Sequence, residues 1–401
     1  MYSIREIAPQ IFWVGGSDRR LQRFENMFPV PNGVSYNSYL IVDSKTALLD
    51  TVDSSISDLF ISNIRHALDG RTLDYLVINH MEPDHCANIE TIMRLYPNVK
   101  LVGNRKTFQF FSQYYTQNIE GQRIAVDENQ ELSLGRHILR FHLAPMVHWP
   151  EVMFTYEKTQ DILFSADAFG TFGALSGNLF ADEMDYDRMF LDESRRYYAN
   201  IVGKYGAQVQ AVLAKLPLDR IRMICPLHGP IWRQDIGTLL EKYRLWSTYM
   251  PEKTGVVLAY ASMYGNTENT VQVLAGKLAD RGVRDIRMYD VSQTHLSYIV
   301  ADTWKYSHLV VASPTYNAHL YSSMEAFLRD LSALGLRNRK VAIIGNHTWA
   351  SAALRIMQEI FSTMQDMEMI GTLDIRSSLK GERLGELDAL ADAIGASLAG
   401  T

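Results

Sequence analysis

Short runs in which apolar residues cluster or alternate mark strands through the first 250 residues: FWV at 12–14, SYLIVD at 38–43, ALLD at 47–50, YLVIN at 75–79, ILRFHL at 138–143, MFTYE at 153–157, DILFSA at 161–166 and IRMIC at 221–225. Between them, apolar positions recur with helical spacing at 56–68, 87–96 and 185–213. Hairpin-like pairs mixed with crossovers predict a mixed sheet sandwich with outer helices, an αββα arrangement. A helix carrying Leu239, Leu240, Tyr243 and Trp246 then runs to Pro251, where the pattern changes. Beyond it VVLAYA, DIRMYDV, HLVVAS, VAIIG and MIGTLDI are each followed by a helical stretch. Strict alternation of this kind predicts a doubly wound, parallel five-stranded α/β sheet. The change of pattern sets domain limits of 1–250 and 253–401.

Length and composition narrow the function classes. A chain of 401 residues holds two or three domains, and 47% apolar against 21% charged residues is globular composition. Thirty-nine Lys and Arg against 45 Asp and Glu give a net charge of −6, so nothing favours nucleic acid or an anionic membrane as partner. Cys86 and Cys225 are the only cysteines and neither belongs to a CxxC, which excludes a disulfide framework, a thiolate iron–sulfur cluster and a built-in rubredoxin-type iron module. Arg5 and Glu6 interrupt the stretch where a signal peptide would need an apolar core, and no run approaches 18 apolar residues. A soluble, cytoplasmic protein is expected.

The loop INHMEPDH, directly after the strand at 75–79, supplies His80, Glu82, Asp84 and His85 within six positions. One of these, Asp84, could serve simply as a cap for the helix at 87–96, but a cap needs one oxygen rather than two imidazoles and two carboxylates. His148, Asp167 and His228 follow other strands in the same way. Seven ligands exceed what one four-coordinate zinc takes, so the count favours two metals with a bridging carboxylate, for which Asp167 is the candidate. Imidazole and carboxylate ligation without thiolate suits iron first and manganese second. His66, His137 and His142 are read as ordinary surface or core residues, and Cys86 and Cys225 as small buried hydrophobes.

Three loops of the second domain point to a flavin mononucleotide. SMYGNTEN opens a helix after the first strand, with Ser262, Met263, Tyr264, Gly265, Asn266 and Thr267 offering a tight turn, hydroxyls and free N–H groups to a phosphate. There is no Walker lysine and no G-x-G-x-x-G, so one phosphate is expected and a dinucleotide is not. Pro314, Thr315, Tyr316 and Asn317 in SPTYNAH, and Gly345, Asn346, His347, Thr348 and Trp349 in GNHTWAS, end the third and fourth strands, where open α/β sheets bind ligands. Tyr316 and Trp349 are candidate stacking surfaces for the isoalloxazine ring of FMN.

On these motifs the chain resembles the flavodiiron proteins (A-type flavoproteins): a metallo-β-lactamase-like domain with two non-haem Fe followed by a flavodoxin-like FMN domain. The resemblance spans nearly the whole chain. Its most specific mark is H-x-E-x-D-H, since hydrolytic relatives carry His where Glu82 stands. It implies His80, Glu82, His148 and Asp167 around one iron and Asp84, His85, Asp167 and His228 around the other, with Tyr197 as a catalytic pocket tyrosine. Two departures stand out. Residues 21–40 lack the histidine that many members place before the G-x-x-Y-N motif, and the third flavin loop has Thr348 and Ser351 where the family favours glycine.

The implied function is reduction of dioxygen to water, of nitric oxide to nitrous oxide, or both. The implied partners are a separate electron donor, either a rubredoxin-like protein or a flavin reductase, and a second copy of the chain in a head-to-tail homodimer or a dimer of dimers. Two competing readings are a dinuclear zinc hydrolase with an accessory flavodoxin-like domain, which Glu82 disfavours, and an electron carrier with a vestigial front domain, which the full ligand set disfavours.

Overall fold

The computed structural model describes residues 2–400. Its contacts fall into two units, one made of the chain up to Tyr198 with Tyr205–Tyr243, the other of Ala199–Lys204 and everything from Arg244 onward.

The first unit is a sandwich of two sheets. One runs in the order Arg5–Ala8, Ile11–Trp13, Tyr39–Val42, Thr46–Leu49, Tyr75–Val77, Lys100–Gly103 and Arg123–Ala125, antiparallel as far as Thr46–Leu49 and parallel beyond it. The other is an antiparallel meander, Glu131–Ser133, Ile138–Leu143, Met153–Glu157 and Ile162–Phe164, closed by the parallel strand Met223–Cys225. Because side chains alternate along a strand, Ile11, Tyr39, Ile41, Leu49, Val77 and Val102 of one sheet meet Leu139, Phe141, Met153, Ile162, Phe164 and Cys225 of the other in a single core. Leu40, Leu48 and Leu76 point the opposite way and are also fully buried. Helix Ser57–Leu68 presents Phe60, Ile64 and Leu68 on one stripe, the spacing that covers such a face.

Local signals explain where the sequence pattern falls short. Arg123–Ala125 and Glu131–Ser133 are mostly exposed three-residue strands whose apolar content is too small to register. The stretch of helical spacing over 185–213 forms Tyr186–Met189, Leu191–Tyr197, a π-helical turn and Gly206–Lys215.

The second unit has five parallel strands in the order Ile286–Asp290, Lys253–Tyr260, Tyr306–Tyr316, Arg339–His347 and Met367–Arg376, the first strand of the unit lying second in the sheet. A short strand, His319–Leu320, folds back on Tyr306–Tyr316. Val256, Leu258, Val310, Ala312, Ala342 and Ile344 pack against helices Asn266–Asp280 and Glu382–Ala399, while Val257, Leu309, Val311, Val341 and Ile343 are buried on the reverse face. Near-continuous apolar strands are what a parallel sheet covered on both faces requires. Among the described residues no helix is long and apolar enough to cross a membrane.

Candidate metal centre and flavin site

Strand direction delivers the ligands of the first unit to one edge of the sandwich. Ile138–Leu143 and Ile162–Phe164 both pair antiparallel with the strand between them, and Met223–Cys225 runs parallel to the latter, so all three end on the same side. His148, Asp167 and His228 follow those ends, and His80 follows Tyr75–Val77. The result is two clusters, His80, Glu82, His148 and Asp167 in one and Asp84, His85 and His228 in the other.

Asp167 joins them. Its Oδ2 lies 3.4 Å from His80 Nε2 and 3.1 Å from His148 Nε2, and its Oδ1 lies 3.0 Å from His85 Nε2 and 3.6 Å from His228 Nε2. Glu82 Oε2 completes the first cluster at 3.2 Å from His80 Nε2 and 3.1 Å from His148 Nε2. Asp84 Oδ2 completes the second at 3.4 Å from His85 Nε2 and 3.3 Å from His228 Nε2. Donors bound at ~2.1 Å and roughly at right angles around one ion sit about 3 Å from each other, the spacing found here.

The donor set fits metal ions for a second reason. Both carboxylate oxygens of Asp84 and Oδ1 of Asp167 are buried with no hydrogen-bond partner among the described residues. His85 Nε2 and His228 Nε2 face one another at 3.1 Å, an arrangement a cation between them makes favourable. Among the described residues Asp84 caps no helix: the helix Ile89–Leu95 begins after Asn88 without a side-chain cap, as does the short helix Pro83–Cys86. Burial opposes charge on Asp167, yet the imidazoles of His85, His148 and His80 hold its carboxyl well below the usual carboxylate range.

The supporting shell is built from the same strand ends. Asp50, fully buried, accepts from Asn79 N at 2.7 Å, Asn79 Nδ2 at 2.7 Å and His80 N at 3.1 Å, which pins the start of the ligand loop. Glu151 Oε1 lies 2.7 Å from His80 Nδ1, and His228 Nδ1 lies 2.8 Å from the Ser35 carbonyl. Tyr197 is fully buried, its ring 5.6 Å from that of His228 and its hydroxyl without a partner among the described residues. Burial and the nearby carboxylates push its phenol far above the usual value.

Glu151 carries no sequence signal, and residues 21–40, which lack a histidine, hold Glu25 beside the site instead. Glu25 follows the strand Arg23–Phe24 with φ +49°; shielding from water and the Glu82 charge push its carboxyl up to about 8. A lone acid in a loop carries no spacing signal, so neither residue could have been singled out. The histidines left aside do lie elsewhere: His66 stacks on Tyr2, His137 contacts Glu157 and His142 contacts Glu128.

In the second unit a cavity of about 400 Å³ opens at the strand ends, a size suited to a small organic ligand. Ser262, Met263, Tyr264, Asn266, Thr267, Pro314, Thr315, Tyr316, Asn317, Asn346, His347, Thr348 and Trp349 line it, joined by Ala318, Ala350 and Ser377, which sequence reasoning did not name. Gly265 and Gly345 shape the backbone of these loops. Gly265 has φ +83°, and a Cβ on Gly345 would come within 2.7 Å of Leu354 Cβ and 2.9 Å of Asp374 Oδ1. Ser262 Oγ accepts from Gly265 N at 3.1 Å and Glu268 N at 3.3 Å, which sets the loop ahead of helix Asn266–Asp280. Thr267 Oγ1 accepts from Asn346 Nδ2 at 3.2 Å, leaving its hydroxyl hydrogen free to donate. Thr315 Oγ1 accepts from Ala352 N and Ala353 N, so its place is at the start of helix Ala353–Ser362. Tyr264 and Trp349 are 91% and 90% exposed, flat surfaces open to a ligand ring.

Comparison with known proteins agrees with both halves. Residues 34–229 match the ODP family beta lactamase and residues 258–387 match Flavodoxin. A protein named nitric oxide reductase from Moorella thermoacetica is 32% identical over 356 residues, covering 88% of each chain. The rubredoxin oxygen:oxidoreductase of Desulfovibrio gigas superposes with a TM-score of 0.91 at 26% identity, over 99% of both chains. The flavodiiron protein of Giardia intestinalis does so with a TM-score of 0.92 at 25% identity, over 99% of this chain and 97% of that one. The chain belongs to the flavodiiron family. Within that family its first unit is the metallo-β-lactamase-like part and its second the flavodoxin-like part.

Proposed function

We propose that this flavodiiron protein is an oxidoreductase that reduces dioxygen to water, nitric oxide to nitrous oxide, or both, at two non-haem irons fed by FMN, with residues 1–250 as the metal domain and 253–401 as the flavin domain. The observation that carries this reading is Asp167, whose two oxygens face two separate imidazole and carboxylate clusters. Two ferrous ions can supply two electrons and a reduced flavin two more, four for dioxygen to water, whereas coupling two nitric oxide molecules takes two.

The chain's own residues position and exclude. Glu82, where a nitrogen ligand would suit zinc, gives the first cluster a hard oxygen donor and with it a preference for a redox metal over hydrolytic zinc. Tyr197 would donate its unpartnered hydroxyl to oxygen on a substrate held between the clusters. Thr267, Asn266 and Ser262 would bind the FMN phosphate, and Tyr316 and Trp349 would stack on the isoalloxazine.

Electrons would come from a separate rubredoxin-like protein or flavin reductase, since the chain has no CxxC pairs to carry its own iron module. A head-to-tail homodimer, alone or paired into a dimer of dimers, would bring the flavin of one copy to the metals of the next, and a cytoplasmic setting fits the two free, buried cysteines. The deciding experiment is metal analysis with an anaerobic visible spectrum of the reduced protein before and after each gas. Two irons per chain and reoxidation by either gas support the reading; a single zinc with no iron, after growth in iron-replete medium, overturns it.

A further inference from the structure

The two half-sites are matched in their direct donors and unmatched in what stands behind them. Each has two imidazoles, one carboxylate of its own and one oxygen of Asp167. Behind the second half, His228 Nδ1 lies 2.8 Å from a neutral backbone carbonyl, that of Ser35, and His85 Nδ1 is buried with no partner among the described residues. Behind the first half, His80 Nδ1 lies 2.7 Å from Oε1 of Glu151, a fully buried carboxylate.

Glu151 is held rigidly. The same Oε1 accepts from Met81 N at 2.8 Å, while the Glu151 carbonyl accepts from the Asn104 side chain at 2.5 Å, and Asn104 also caps helix Arg105–Tyr114. Its second oxygen is buried without a partner among the described residues, so its negative charge is directed at His80 rather than shared with a cation. A carboxylate that accepts the Nδ1 proton fixes the imidazole tautomer, leaves Nε2 as the donor atom and makes that nitrogen more basic, whereas a carbonyl does so more weakly and an unpartnered nitrogen not at all.

We propose that Glu151 is a positioning residue that makes the His80, Glu82 and His148 half the tighter of the two metal half-sites, so that the pair fills in order, this half first. The inference rests on the two-metal reading. It calls for no new chemistry, only for unequal affinity.

The test is an anaerobic titration of metal-free full-length protein with ferrous iron against a competing chelator. Wild type is expected to load in two resolved steps. Glu151→Gln, which keeps an acceptor for His80 and removes the charge, should weaken the tighter step about tenfold and leave the weaker step unmoved, and Glu151→Leu should weaken it about a hundredfold. In a His85→Ala background the effect of Glu151→Gln should persist, and in a His80→Ala background, which removes the imidazole Glu151 acts on, it should vanish. Unchanged FMN content and thermal melting identify folded variants, and if the Leu variant fails to fold, the Gln variant decides. Two steps that ignore Glu151→Gln, or that both shift by the same factor, overturn the inference while leaving two metals in place. Uptake of a single ion by wild type overturns the two-metal reading itself.

Discussion

Asp167 presents one oxygen to His80 and His148 and the other to His85 and His228, so as the proposed bridge its loss would take a ligand from both ions. Asp167→Ala should lower iron from about two atoms per chain to below one, measured by plasma emission on protein that still holds FMN, while His66→Ala, stacked on Tyr2, should lose none. Retention of both irons in the Asp167 variant would remove its bridging role. Tyr197, proposed as a proton donor, is tested at the same scale: Tyr197→Phe should keep iron and flavin and slow turnover with the preferred gas by about a hundredfold. Full activity would assign the ring to packing with Phe172, 5.1 Å away. At this scale legibility depends on whether a residue carries a spacing signal. His80, Glu82, Asp84 and His85 are readable because four ligand types crowd one loop, and His148, Asp167 and His228 because each follows a strand. Glu151 is a single acid made important by the fold, which brings it to a histidine 71 residues away in sequence.

The strand-to-helix loops of the second unit are the elements that would carry the flavin. Thr267 is buried at the first turn of helix Asn266–Asp280, where a carboxylate would stand against a bound phosphate. Thr267→Asp should weaken FMN at least tenfold by equilibrium dialysis, and unaltered affinity would put the phosphate elsewhere. One strand also carries a pH response. His308, in Tyr306–Tyr316, is nearly inaccessible, its ring between Ser307 Oγ at 2.7 Å and Ser397 Oγ at 3.1 Å; burial, with Lys340 adding repulsion, pushes its pKa down to about 4. The unfolded chain takes up this proton near pH 6.5 and the folded chain only near 4, so the contribution of neutral His308 is complete above about pH 6.5 and is lost as pH falls toward 4. Denaturant melts from pH 7 to 4 should therefore fall less steeply for His308→Gln than for wild type, and parallel curves would contradict the assignment. Strands such as Ile138–Leu143 and Met153–Glu157 were legible to the residue because their apolar pattern is strong. The edge strands and the helix Arg105–Tyr114 were not, the helix because polar residues surround its buried Phe108 and Phe111.

At the scale of the whole molecule both architectures were legible, since alternating strands and helices constrain a parallel sheet strongly and mixed hairpins a sandwich. What one chain could not supply is how flavin electrons reach the metals, because that depends on surfaces rather than on periodicity. The head-to-tail arrangement is testable by mixing. A subunit disabled by His80→Ala and Glu82→Ala but binding FMN, combined with one holding metals but carrying Gly265→Val and Thr267→Asp, should regain activity in mixed dimers after subunit exchange. Inactivity of demonstrated mixed dimers, each with its intended cofactor, would mean that electrons pass within one chain. Whether two irons and a flavin act together on a diatomic gas is read from an electron count: fully reduced protein titrated anaerobically with dioxygen and, separately, with nitric oxide. With at least one gas the flavin and both irons should be oxidised together, with water and no peroxide from dioxygen, or nitrous oxide from nitric oxide. Oxidation of the flavin alone with peroxide released, and metals that respond to neither gas, would contradict it.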